Sequence, residues 1–128
     1  MNREIKFRAG FKGKIWDVVE IGWKNGQIHD ITIDTDRGNR MIDVRELELF
    51  EFTGLKDFNG RELYEGDILH FSEIAEDKNN PPVYGHVYWS DKRSRFESND
   101  IENLKLESIE LWGGVVIGNI YENPNLLK

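Results

Sequence analysis

Two aspartates and a glycine, Asp34, Asp36 and Gly38, have part of the spacing of a calcium-binding loop. Such a loop places oxygen ligands at alternate positions, a glycine at position six and a bidentate glutamate at position twelve. Counted from Asp34, the glycine comes one position early and the twelfth residue is Arg45. Because a positive side chain does not ligate a cation, the spacing predicts a solvated turn, and we expect no metal site here.

Side chains that act as nucleophiles or metal ligands occur without a motif that would organise them. The chain has no cysteine, which excludes disulfides, cysteine zinc sites and thiol catalysis. No serine lies in a G-x-S-x-G turn, and the sequence has no phosphate-binding glycine loop. The histidines stand on separate segments without metal-ligand spacing: His29, His70 and His86. We therefore expect a protein that is not an enzyme and uses no cofactor.

A basic and aromatic segment gives the one local argument for nucleic-acid binding. Lys92, Arg93 and Arg95 stand between Trp89 and Phe96, so phosphate contacts and base stacking are both available. The alternative is a basic hairpin tip that keeps an edge strand soluble. The chain has 17 basic and 24 acidic residues, a net charge of -7, whereas coating nucleic acid requires many cations. The charge balance favours the hairpin tip, and a weak single-stranded nucleic-acid-binding module stays as the alternative function.

The aromatic content favours a function in protein contacts. Four Trp and four Tyr in 128 residues exceed what one modest core must hold, and such rings are common anchors of interfaces. The strand edges of a small β domain also invite pairing between copies. We therefore predict a homo-oligomer, with another protein as a further partner. The other interpretation is that all the rings belong to the core.

The elements that position these residues are predicted to be strands, because most apolar residues recur at every second position. Ile5, Phe7 and Ala9 alternate with basic residues, as in a half-buried strand. The Asn-Gly pair at 25–26 lies between apolar runs and predicts a tight hairpin, so the first forty residues form an antiparallel meander. Segment 45–52 fits either a strand or a helix, and we prefer the strand because it buries more apolar surface.

The second half of the chain predicts a less regular arrangement. Residues 72–82 are rich in charges and proline, and we expect a flexible loop there. The alternation of side chains between two faces resumes at 83–89 and predicts a further strand. Asn99 to Leu106 has the capping and apolar spacing of one short helix, and 109–120 holds two final strands.

Four blocks carry a family resemblance: Arg3–Ala9, Phe52–Asp57 with Asn59-Gly60, Leu63–Ile68, and Val116–Pro124 followed by Leu126-Leu127. In this order they resemble the YopX family, small proteins found mostly in phages and prophages. The resemblance implies a mainly β fold, a phage context and no catalytic residues. The sequence departs from the family pattern at Gly10, where an aromatic residue is expected. The motif residues, for which a structural role is expected, are Gly54, Asp57, Gly60, Tyr64, Gly66, Asp67, Gly118, Asn119, Tyr121 and Pro124.

These observations predict one YopX-like domain over residues 1–128, with a mass of 15.0 kDa. Its fold class is mainly β, a small antiparallel, barrel-like sheet that is SH3-like in part, with one short helix. No apolar run approaches the roughly 20 residues of a membrane span, and no charged-then-apolar leader opens the chain. We therefore expect a cytoplasmic protein of the bacterial host cell with no membrane partner. The expected function is that of a non-enzymatic phage or prophage accessory protein acting through protein contacts.

Overall fold

The structure, a computed structural model, describes residues 4–71, 83–98 and 114–127. Three predicted elements lie outside these ranges: the loop at 72–82, the helix from Asn99 to Leu106 and the first of the two strands predicted within 109–120. Within the described ranges 67% of the residues lie in strands, and the only helical segments are two 3-10 turns. The prediction of a mainly β fold is therefore confirmed. No helix in this part of the chain is long and apolar enough to cross a membrane.

The described residues form ten strands in two antiparallel sheets. The first sheet has the strand order β4-β3-β2-β1-β5-β6, and the second has the order β10-β7-β8-β9. The strands described do not close into a barrel. Their bounds are β1 Phe7–Phe11, β2 Lys14–Lys24, β3 Gln27–Thr35, β4 Gly38–Asp43, β5 Glu48–Lys56, β6 Glu62–Tyr64, β7 Asp67–Phe71, β8 Val83–Ser90, β9 Arg95–Ser98 and β10 Gly114–Asn119.

The first four strands form the predicted meander. Lys24 pairs with Gln27 across the turn between β2 and β3. The two central residues of that turn, Asn25 and Gly26, have φ values of 53° and 76°. A type I′ turn requires positive φ at both positions, which Asn and Gly tolerate better than other residues. The hairpin predicted from the Asn-Gly pair is therefore confirmed.

One face of this sheet carries an aliphatic core. Ile31 and Ile33 of β3 are two positions apart, so both point to the same face, where they are fully buried. Removing each such side chain from water contributes roughly 1.5–3 kcal/mol to stability. The buried cluster consists of Ala9, Phe11, Ile31, Ile33 and Ile42.

Segment 45–52, whose sequence fits either a strand or a helix, is a strand from Glu48 onward. A 3-10 turn at Val44–Glu46 precedes it, and the carboxylate of Asp43 caps this turn by accepting a hydrogen bond from the Arg45 amide at 2.9 Å. Both phenylalanines of β5 are buried, whereas Glu48 is exposed. The preference for a strand is confirmed, because alternation buries both aromatic rings on one side.

The backbone of Gly66, between β6 and β7, ties the two sheets together. Its amide donates to the Val87 carbonyl at 2.7 Å, and its carbonyl accepts from the Ile120 amide at 2.8 Å. Its φ is 86°, and a Cβ here would come within 3.0 Å of the Phe50 ring. Glycine meets both the backbone and the packing requirement of this junction.

Candidate functional site

An open cleft of about 480 Å³ lies where the two sheets meet. Its walls come from β1, β2 and β3 on one side and from β7, β10 and the turn after β10 on the other. Three of the blocks that carry the family resemblance contribute to it, although they are far apart in sequence. The lining residues are Arg8, Ile15, Trp16, Asp17, Asp34, Thr35, Asp36, Arg61, Asp67, Gly118, Asn119 and Glu122.

Asp67 is the buried acid of this cleft, with only 5% of its surface exposed. It is the first residue of β7, and its Oδ2 accepts a hydrogen bond from the Tyr64 amide at 2.8 Å. Burial raises the pKa of its carboxyl to about 6, because the loss of hydration outweighs that hydrogen bond and the charges of Arg8 and Arg61. Asp67 therefore accepts a backbone hydrogen bond at the entrance of β7.

A row of charged residues crosses the first sheet at the wall of the cleft. Arg8 pairs in register with Asp17, and Asp17 pairs with Asp34 on the next strand. The Arg8 Nε lies 3.6 Å from Asp17 Oδ1, and the guanidinium stacks over the Tyr64 ring at 4.0 Å. Asp17 and Asp34 are thus like charges placed directly opposite each other, an arrangement that destabilises a sheet.

The turn after β10 places another carboxylate at the cleft. Asn119 Oδ1 accepts hydrogen bonds from the Tyr121 amide at 3.0 Å and the Glu122 amide at 2.7 Å. The side-chain Nδ2 of Asn119 donates to Glu122 Oε1 at 2.9 Å, which holds the Glu122 side chain at the rim of the cleft. Asn is suited to this position because its side chain both accepts from and donates to nearby groups.

Tyr121 lies over Gly10, the position at which the sequence departs from the family pattern. A Cβ on Gly10 would come within 2.9 Å of the Tyr121 ring. The Tyr121 hydroxyl also accepts a hydrogen bond from the Gly13 amide at 3.1 Å, which anchors the ring over β1. The ring of the C-terminal block therefore fills the space that an aromatic residue at position 10 would need.

Asp57 fixes the turn before β6 to the second sheet. It is 4% exposed, and its Oδ1 accepts hydrogen bonds from the amides of Asn59 and Arg61 at 3.0 and 2.8 Å. Its Oδ2 accepts from the Val116 amide of β10 at 2.9 Å. Among the other motif residues, positive φ is found at Gly54 and Gly60, and the last 3-10 turn begins at Pro124.

The structure brings the aromatic members of the predicted interaction patch together on the hairpin of β8 and β9. Trp89 and Phe96 pair across the two strands, and their ring centroids are 5.0 Å apart in an edge-to-face arrangement. Trp89 nevertheless remains 44% exposed. The hairpin therefore presents an ordered aromatic surface to its surroundings.

Two of the three basic residues of the patch bind a buried acid. Glu97 is 2% exposed, and it accepts hydrogen bonds from Arg93 at 3.0 Å and from Arg95 at 3.0 Å. Burial by itself would raise the pKa of Glu97, but hydrogen bonds from Arg95, Arg93 and Ser90 outweigh it and lower the pKa below its ordinary value. Among the described residues no ion pair is made by Lys92, which is exposed.

The cleft and the patch are separate sets of residues, and sequence reasoning identified only the patch. Asp34 and Asp36, interpreted as a solvated turn, lie at the cleft. Within the described ranges no three His, Asp or Glu side chains are grouped to hold a metal ion. Four charged residues of the cleft were missed: Arg8, Asp17, Arg61 and Glu122. Three of them, Arg8, Arg61 and Glu122, have one sequence signal, a position inside or beside the blocks that carry the resemblance. Asp17 has no such signal.

Comparisons with known proteins support the resemblance. The family model described as YopX protein matches residues 6–128. The crystal structure of protein EF1440 from Enterococcus faecalis is similar to this chain, with 24% sequence identity and a TM-score of 0.72, over 99% of this chain and 100% of that chain. At this identity the likeness shows the fold. The comparison with curated proteins finds no match.

Proposed function

This chain belongs to the YopX protein family, and we propose that it is a non-enzymatic accessory protein of a phage or prophage. It acts through protein contacts in the cytoplasm of the bacterial host cell. Its first partner is a second copy of the same chain, and a host or phage protein is the further partner.

The observation that carries this proposal is the exposed Trp89 on an ordered hairpin. Tryptophan and arginine are the residue types that contribute most to protein interfaces. Trp89 contacts Phe96, and Glu97 accepts hydrogen bonds from Arg93 and Arg95. These contacts fix the conformation of the hairpin in the absence of a partner. A preordered surface loses less conformational entropy on binding, which favours association.

Charge supports a second copy as the first partner. The hairpin keeps a small positive charge, because Lys92 is exposed and Glu97 offsets only part of the charge of Arg93 and Arg95, whereas the chain as a whole has a net charge of -7. A second copy therefore offers a mostly negative surface to this basic and aromatic tip, and such complementarity favours encounter.

Light scattering coupled to gel filtration tests the proposal. We expect a mass above 15.0 kDa at high micromolar concentration for the wild type, and a monomer for Trp89→Ala. Trp23→Ala is the matched control, because Trp23 is 65% exposed on β2, in the other sheet. A strict monomer for the wild type, or an equal effect of both substitutions, would refute self-association through the hairpin.

The nucleic-acid alternative is tested on the same hairpin. The exposed Trp89 ring near Lys92 favours nucleic-acid binding. Glu97 binds Arg93 and Arg95, however, which leaves less positive charge to contact phosphates. Fluorescence anisotropy of a labelled single-stranded DNA at low salt is expected to show no binding. Binding that weakens as salt rises, and that Lys92→Glu abolishes, would replace the proposed function with this alternative.

A further inference from the structure

A second groove, of about 460 Å³, lies at the end of the first sheet and is lined by the β1–β2 turn and the β3–β4 turn. The charged residues of this basic groove are Lys12, Arg37, Arg40 and one acid, Asp36. Within the described ranges none of the three cations makes an ion pair. The groove therefore has an excess of positive charge in a chain whose net charge is -7.

The register of the first sheet gives Arg40 an unusual position. Arg40 pairs with the fully buried Ile33, and Ile42, two residues further along β4, is also buried. Because paired residues of an antiparallel sheet share a face, Arg40 stands on the face that carries the aliphatic cluster. Its guanidinium makes no hydrogen bond with any described side chain or backbone group. A guanidinium held at the end of an apolar face with its donors available is placed to bind an anion.

Two aromatic rings form the apolar wall of the basic groove. Trp16 is half-buried, and its Nε1 donates to the Phe11 carbonyl at 3.1 Å, which fixes the indole in place. Lys12 Nζ and Arg40 Cζ each lie 5.4 Å from the centroid of the Phe11 ring. Cations that only keep a surface soluble need no aromatic wall. A ligand that joins phosphates to a planar ring system uses both the cations and the wall.

We propose that the basic groove binds a free nucleoside phosphate. The phosphate oxygens accept hydrogen bonds from the guanidinium groups of Arg37 and Arg40 and from the ammonium of Lys12. The base packs against the Trp16 ring, a contact that tolerates any base because every base has a π face. A volume of about 460 Å³ lies within the range of roughly 300–1,000 Å³ that is typical of small-molecule sites.

The neighbouring acidic cleft favours a free nucleotide over a nucleic-acid strand. Trp16 and Asp36 line both the groove and the cleft, so the two lie side by side. A strand that continued from the groove across Trp16 would bring its next phosphates toward Asp17 and Asp34. Repulsion between these like charges opposes such a path, whereas a mononucleotide ends within the groove.

The site goes beyond the proposed function, because the groove shares no residue with the hairpin of β8 and β9. Trp89→Ala is expected to abolish self-association and to leave nucleotide binding unchanged. Arg40→Gln is expected to do the reverse, so each proposal can fail alone.

Isothermal titration calorimetry of the intact protein with ATP, at low salt and without divalent cations, tests the proposal. We expect saturable binding to the wild type, weakened about tenfold by Arg40→Gln and roughly threefold by Arg37→Gln. Both substitutions change exposed side chains without an ion pair in the described part of the chain, so the fold should tolerate them. Lys24→Gln is the matched control, since it removes one positive charge from an exposed position of β2 outside the groove.

Titrations with tripolyphosphate, with adenosine and with a short single-stranded DNA identify the ligand chemistry. Tripolyphosphate and adenosine should each bind more weakly than ATP, because each offers only one of the two parts that the groove contacts. Tripolyphosphate that binds as tightly as ATP would overturn the proposal, since the aromatic wall would then have no role. Tighter binding of the DNA would replace the free nucleotide with a nucleic-acid strand.

Two outcomes of the ATP titrations would also overturn the proposal. The first is the absence of ATP binding to the wild type. The second is equal weakening by Arg40→Gln and Lys24→Gln, because the attraction would then come from overall charge and not from the basic groove.

Discussion

Replacing Asp67 with asparagine tests whether burial of this carboxylate costs stability at neutral pH. The carboxyl faces Arg8 from β1, and Arg61 and Asp57 from the turn before β6, and burial still raises its pKa from 3.8 to about 6. Asparagine has nearly the same shape, carries no charge and keeps an oxygen to accept from the Tyr64 amide.

The size of the effect follows from the pKa shift. A group whose pKa is higher in the folded state stabilises the fold fully below its unfolded pKa of 3.8, and this contribution is lost as pH rises through about 6. The whole shift corresponds to about 3 kcal/mol. Between pH 7 and pH 5 linkage gives a gain of about 1.3 kcal/mol for the wild type from Asp67 alone. The Asp67→Asn variant lacks this gain, and at pH 7 we expect it to be more stable than the wild type by about 1–3 kcal/mol.

Urea unfolding, followed by tryptophan fluorescence from pH 5 to pH 8, measures this difference. The lowered pKa values of Asp43 and Glu97 reduce stability at acid pH in both proteins, so they cancel when the two curves are subtracted. Asp36→Asn, which removes a carboxylate from an exposed turn, is the control for net charge and should keep the wild-type pH dependence. Parallel curves for wild type and Asp67→Asn across this range would refute the argument from burial.

Three further substitutions test the contacts that hold the site. Asp57→Ala removes the acceptor of three backbone amides, including that of Val116, and should cost about 2–5 kcal/mol in urea unfolding; a loss below roughly 1 kcal/mol would contradict the role assigned to it. Gly10→Ala should lower the free energy of unfolding by about 1–3 kcal/mol, because the new methyl group crowds the Tyr121 ring. In a double-mutant cycle, the same substitution should cost much less in the Tyr121→Leu background. Glu97→Gln should lower the urea midpoint and produce salt-sensitive binding of single-stranded DNA that the wild type lacks, because two arginines lose their charged acceptor; anisotropy as flat as that of the wild type would show that they stay engaged.

Local features of the fold were predictable because their causes lie within a few residues. The turn at Asn25-Gly26 follows from the tolerance of these two residue types for positive φ. The alternation of β3 follows from the two-residue period of a strand. The binding of Arg95 by Glu97 also has a local signal, since residues two apart on a strand share a face. Because Glu97 binds Arg93 and Arg95, the patch is less basic than its three cationic residues alone predict.

The cleft was not predictable in the same way, because its members come from elements that are distant in the chain. Arg8 and Glu122 line the same space only after β1 and the turn after β10 have packed together. The opposition of Asp17 and Asp34 depends on the register between β2 and β3. A one-residue slip would send alternate side chains to the other face, so composition and spacing leave such a pair undetermined.

The sequence by itself determined the strand class, the tight turns, the family blocks and the acidic balance of the chain. Each of these depends on residue type and short-range spacing, which backbone sterics and the period of a strand translate directly into structure. The tertiary structure decided that Asp67 is buried, that Tyr121 covers Gly10, and that five carboxylates share one cleft. Burial and proximity arise from the packing of two sheets against each other, so they cannot be deduced from the sequence of any single segment.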